Sequence, residues 1–139
     1  MNLLPKTSPI EIRTAVLDWS LPLPEAVTKL SAHEAETNGQ QRPLTILAAD
    51  CVYYEPAFPD LLDTLERLLD GEGNGEKKCW FCVKRRRKAD RRFIGALAKR
   101  FYTKEWDIDD DSGNKEKGVR LWEVRRTGWP EKKTDVPVG

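Results

Sequence analysis

The sequence predicts an α/β protein, the second half of a doubly wound sheet that ends in an antiparallel pair of strands. Three observations lead there: the near-continuous apolar run LTILAADCV at residues 44–52, a leucine-rich stretch with helical spacing after it, and two apolar runs flanking the polar segment DDDSGNKEKG. The first has the composition of an inner strand of a parallel sheet, covered by helices on both sides. In the second, Phe58, Leu61, Leu62, Leu65, Leu68 and Leu69 share one helical face, with Asp63, Glu66, Arg67 and Asp70 largely away from it. The third allows antiparallel pairing of Tyr102–Ile108 with Val119–Arg125.

The remaining elements follow in chain order. IEIRTAVLDW, residues 10–19, alternates Ile10, Ile12, Thr14 and Val16 against Ala15, Leu17 and Trp19, which predicts a strand buried on both faces near its end. Leu21-Pro22-Leu23-Pro24 breaks it, and Pro24 opens a short helix over Glu25–Leu30, followed by the polar stretch Ser31–Arg42. Residues 71–78, GEGNGEKK, read as a loop and Cys79–Val83 as a short strand. Ala89–Phe101 reads as a second amphipathic helix with Phe93, Ile94, Leu97 and Phe101 inward.

A length of 139 residues suits one domain, and 39% hydrophobic with 34% charged residues describes a globular chain with a heavily charged surface. No apolar run approaches the roughly 20 residues of a spanning helix, and no secretory leader is evident, so a cytoplasmic protein without a membrane role is expected, its three cysteines free thiols. The net charge of +1 conceals an asymmetry: residues 1–76 carry 5 Lys and Arg against 13 Asp and Glu, and residues 77–139 carry 19 against 10. In the basic half, Asp109, Asp110 and Asp111 interrupt the positive charge, which argues against a general nucleic-acid field.

Several motifs fail on context. Gly71, Gly73 and Gly75 follow a helix, whereas a cofactor-cradling glycine loop follows a strand and opens a helix. Asp107, Asp109 and Asp111 have calcium-loop spacing, but Ser112 and Gly118 stand where the turn glycine and the closing acid belong, so no metal is expected. Cys79 and Cys82, three apart on a strand, point to opposite faces and have no second ligand pair. His33, the single histidine, lies in a polar stretch and reads as solvent-facing. The run Lys84, Arg85, Arg86, Arg87, Lys88, Arg91 and Arg92 reads as a solvated strand-to-helix turn, with a binding module for an acidic protein or nucleic acid as the alternative. A site is expected instead at Ala48–Tyr54, because Asp50, Tyr53 and Tyr54 follow an apolar strand at its carboxyl end, where open α/β sheets place ligands. Burying Asp50 there would call for a cationic or hydrogen-bonding ligand. Capping of the next helix is the competing account, and Pro56 and Pro59 place that helix start further on.

LDWSLPLPEAV, ILAADCVYYEPAFPDLLDTL and CVKRRRKADRRFIGAL together resemble the fungal branch of the seven-β-strand protein-lysine methyltransferases, in particular the subgroup acting on translation elongation factor 1-alpha. The resemblance covers about residues 10–126 and implies a partial Rossmann-like methyltransferase domain over 1–126, with a tail at 127–139. It implies S-adenosylmethionine as cofactor, a protein substrate, and a D-x-x-Y element, Asp50 to Tyr53, at the substrate-lysine pocket. It places Trp19 of an L-x-W-G-like element beside the adenosyl group, with Ser20 where glycine is usual, and the backbone around Ala48, Ala49 and Cys51 on the cofactor side. The family's glycine-rich loop and ribose carboxylate have no counterpart before Ile10, since a βαβ unit takes about 30 residues. The chain is therefore expected to be the C-terminal part of a methyltransferase, from an incomplete gene model or a shortened product, with weak cofactor binding and an unpaired edge at Leu44–Val52 that invites association.

Overall fold

A computed structural model describes residues 10–33 (backbone only for 30–33), 43–71, 75–84, 86–108 and 119–128. Gly73, Arg85, Asp109, Asp110, Asp111, Ser112 and Gly118, the His33 side chain and most of the 127–139 tail lie outside the described residues. The elements run α1 (Glu25–His33), β1 (Leu44–Ala49), a 3₁₀ turn (Glu55–Ala57), α2 (Phe58–Asp70), β2 (Lys77–Lys84), α3 (Lys88–Arg100), β3 (Phe101–Trp106) and β4 (Val119–Arg126). The strands form one sheet in the order β1-β2-β4-β3. β1 lies parallel to β2, while β4 lies between β2 and β3 and runs antiparallel to both. This is a partial Rossmann-like α/β fold, with the expected antiparallel pair at one side.

The core forms where the period-two pattern of β2 meets two helical stripes. β2 buries Cys79, Phe81 and Val83 on one face. α2 supplies Phe58, Leu61, Leu62, Leu65 and Leu69, and α3 supplies Ala89, Phe93 and Leu97. Phe93 stands edge-on to Phe58 at 5.0 Å and lies 5.5 Å from Phe81, so both helices cover the same sheet face. Each such side chain contributes about 1.5–3 kcal/mol by leaving water. Arg100, at the end of α3, locks the helices together by reaching Asp63 at 2.8 Å and also Glu66, one turn apart on α2.

Two expectations are corrected. Residues 10–19 form no strand: Ile10, Ile12 and Val16 are 68%, 85% and 88% exposed. Alternation makes a strand only where a neighbour accepts its hydrogen bonds, and no described strand lies alongside. β1 is not covered on both faces either, because burial alternates along it and Leu47 stands 79% exposed. Its outer edge has no partner among the described residues. Cys79 and Cys82 do face opposite ways, one fully buried and the other half-buried.

Candidate active site

Because β1 and β2 are adjacent and parallel, the loops leaving their carboxyl ends face each other. The first carries Asp50, Cys51, Tyr53 and Glu55; the second carries Arg86, Arg87 and Asp90. Asp50 turns the chain off β1 with φ of 53°, a left-handed conformation that aspartate tolerates better than most side chains. Its amide donates to the Cys82 carbonyl at 3.2 Å, which fixes this turn to the end of β2. The Asp50 carboxylate is 70% exposed, so it needs no partner to offset burial, and the ligand argument from desolvation does not apply. Asp50 caps neither the 3₁₀ turn nor α2, whose N-cap positions are Tyr54 and Ala57.

Three arginines tie the two loops together. Arg87 donates to the Tyr53 carbonyl at 3.0 Å and to Asp90 at 3.1 Å. Arg92 pairs with Glu55 at 2.6 Å, and Arg86 stands 3.9 Å from Asp50, a loose and well-solvated pair. Three residues of the basic cluster therefore bridge the two loops while staying exposed. Its anchor is Asp90, 1% exposed, which accepts from the Arg86 and Arg87 amides at 2.9 and 3.1 Å. Burial alone would raise the Asp90 pKa, but these amides and the Arg87 guanidinium hold it below the usual carboxylate range. The contact from Asp90 at N3 to the Arg87 amide is half of a capping box. Spacing alone hides it, since the N-cap residue is arginine rather than serine or threonine.

The residues expected on the cofactor side are only partly brought together. Trp19 and Ala48 both pack against the core, whereas Ala49 turns to the opposite sheet face and is exposed. The Trp19 carbonyl accepts from buried Thr64 of α2 at 3.2 Å, and the Leu21 carbonyl from Arg67 at 3.3 Å. Ser20 has its own role: its hydroxyl and amide reach Asp18 at 2.6 and 2.9 Å, closing a turn and lowering the Asp18 pKa. The Cys51 thiol is half-buried, and burial pushes its pKa up, which disfavours a thiolate nucleophile. No glycine-rich strand-to-helix turn occurs among the described residues, and the one described glycine with positive φ, Gly128, follows β4.

The sequence profile of the lysine methyltransferase family matches residues 5–100. The chain belongs to the lysine methyltransferase family. The match contains Trp19, Asp50 and Tyr53 and all three interloop arginines of this methyltransferase. No curated protein matches the chain.

Proposed function

We propose that this methyltransferase transfers a methyl group to the ε-amine of a lysine on a protein, with Asp50 and Tyr53 at the lysine end of its site. Family membership supports the reaction class. The observation that carries the residue assignment is the exposed Asp50 carboxylate, held on a left-handed residue at the carboxyl end of β1, three residues from an exposed tyrosine. S-adenosylmethionine enters this reading as the methyl donor through the family, and the lysine role of Asp50 and Tyr53 enters through the D-x-x-Y resemblance, which their exposure at the end of β1 supports. The resemblance to the elongation-factor subgroup makes translation elongation factor 1-alpha the proposed substrate and the cytoplasm the proposed location.

A free lysine has a pKa near ~10.4, so the amine must lose a proton before it can attack. A carboxylate favours the ammonium form, which makes Asp50 an orienting acceptor rather than the base. The Arg86 guanidinium opposes that bias from the other side. Tyr53 offers a ring face and a hydroxyl to the lysine stem and head. Alignment of the amine for in-line attack is the contribution expected of both.

The test is methylation of elongation factor 1-alpha by a form that carries the family's glycine-rich cofactor loop upstream, compared as the unsubstituted sequence, Asp50→Ala and Tyr53→Phe, with circular dichroism to confirm the fold and calorimetry to confirm that cofactor binding is kept. Each variant is expected to lose about tenfold or more in rate, equivalent to ~1.4 kcal/mol of transition-state stabilisation. Unchanged rates in both would remove these residues from the site. Methylation confined to another protein would overturn the substrate and leave the chemistry.

A further inference from the structure

The turn from β2 into α3, which meets the Asp50–Glu55 loop through Arg86, Arg87 and Arg92, carries more positive charge than the molecule neutralises. Among the described residues from 84 to 92, Lys84, Arg86, Arg87, Lys88, Arg91 and Arg92 accompany a single carboxylate, Asp90. Asp90 is enclosed by Arg87 and two backbone amides, while Arg86 and Arg92 reach across to Asp50 and Glu55. Lys88 and Arg91 are exposed and form no ion pair among the described residues. They stand three apart on the first turn of α3, hence side by side on its outer surface. Lys88 follows Arg87, which holds Tyr53, and Arg91 precedes Arg92, which holds Glu55. Two unneutralised cations therefore stand on the helical turn whose neighbours Arg87 and Arg92 contact the loop that presents Asp50.

We propose that Lys88 and Arg91 bind the acidic flank of the protein segment that carries the target lysine, so that the substrate class is a lysine with aspartate or glutamate close by in sequence. This rests on the reading of Asp50 and Tyr53 as the lysine end of the site. The charge pattern selects a peptide over a polyphosphate. A lysine at Asp50 with carboxylates at Lys88 and Arg91 meets opposite charge at every point. A nucleic-acid backbone laid along the same rim would bring its phosphates against the exposed Asp50 and against Glu55. Arg91 can engage a carboxylate through two parallel N–H bonds, and Lys88 acts as a point charge. The arrangement also answers a chemical problem. Carboxylates beside a lysine stabilise its ammonium form, and two cations that neutralise them return the amine toward the deprotonated state the attack requires.

Exposed charge pairs are individually weak, so two of them should tighten binding between about twofold and thirtyfold. The probes are three fluorescein-labelled peptides of equal length: one lysine flanked by Asp and Glu, the same lysine flanked by Asn and Gln, and the acidic peptide with glutamine in place of lysine. Anisotropy titrations with the wild-type protein should rank the acidic lysine peptide tightest. Its advantage over the neutral peptide should shrink from 50 to 300 mM salt, and should vanish in Lys88→Gln/Arg91→Gln and invert in Lys88→Glu/Arg91→Glu, both checked for folding by circular dichroism. Equal binding of the acidic and neutral lysine peptides would overturn the proposal while leaving the lysine site intact. Equal binding of the two acidic peptides, with and without lysine, would remove the lysine reading beneath it. Displacement of the acidic peptide by single-stranded RNA, at RNA concentrations below the peptide's own Kd, would assign the rim to nucleic acid instead.

Discussion

Replacing Asp90 with alanine should loosen both loops of the site at once, and the structure sets the size of the effect. The Asp90 carboxylate is 1% exposed and accepts the Arg86 amide at 2.9 Å, the Arg87 amide at 3.1 Å and the Arg87 guanidinium at 3.1 Å. Hydrogen bonds to a charged group contribute about 1.5–3 kcal/mol each where water cannot replace them. Here water can, since the Arg87 side chain is 49% exposed, and the sum should fall to roughly 2–3 kcal/mol after that discount. Asp90→Asn, which keeps one acceptor oxygen and loses the charge, should cost about 1 kcal/mol. With urea slopes of about 1–3 kcal/mol/M, the alanine variant's midpoint should drop by about 0.7–3 M at unchanged slope. The pH dependence has a definite sign. The folded pKa of Asp90 is lowered, so its contribution is complete above the ordinary aspartate value near ~3.9 and disappears as pH falls through the folded value. The alanine variant should therefore lose less stability than the wild type on acidification. A midpoint change under about 0.2 M, or parallel acid limbs, would refute the clamp.

Other consequences are simpler to measure. Burial pushes the Cys79 thiol up to about 12, so native protein treated with a maleimide at neutral pH should label Cys51 and Cys82 while Cys79 reacts only after denaturation. The same shift predicts a contribution to stability that is constant up to the unfolded thiol pKa of ~8.5 and declines above it, so Cys79→Ala should reduce the alkaline loss, leaving the smaller part due to Cys51, in a urea series run from pH 8 to 10. The outer edge of β1, with Leu47 exposed, should make association depend on concentration in sedimentation velocity, and Leu47→Lys should reduce it. Leu97, fully buried between α3 and the sheet, should cost about 2–5 kcal/mol on replacement by alanine, read from thermal or urea unfolding.

The parts of this fold that were legible in the sequence are those whose signal is local. α2 announces itself through six apolar residues on one stripe, and β2 through the alternation that buries Cys79, Phe81 and Val83. The segment at residues 10–19 carries an equally regular alternation and forms no strand, because pairing depends on a neighbour that no local pattern encodes. The position of Asp50 at a strand end was readable, but its left-handed backbone and solvent exposure were not. The basic cluster is the solvated strand-to-helix turn the sequence predicts, but its partners were not readable because they lie far off in sequence: Arg86 meets Asp50, and Arg92 meets Glu55, 37 residues away. Trp19 could be singled out, but not the Thr64 hydroxyl that holds its carbonyl from 45 residues further on.

The position of β4 imposes an order on synthesis. A nascent chain can pair β1 with β2 once residue 84 has left the ribosome, yet among the described strands β3 joins the sheet only through β4. Until Val119–Arg126 emerges, Phe101 and Thr103 have no strand to register against, and the side of β2 that will receive Val124 opposite Cys79 stays unoccupied. Vectorial folding thus leaves this sheet half-built until β4 has emerged. A premature stop between β2 and β4 would release a two-stranded intermediate with an open edge on each side, a species for chaperones or proteases rather than a smaller version of the same domain.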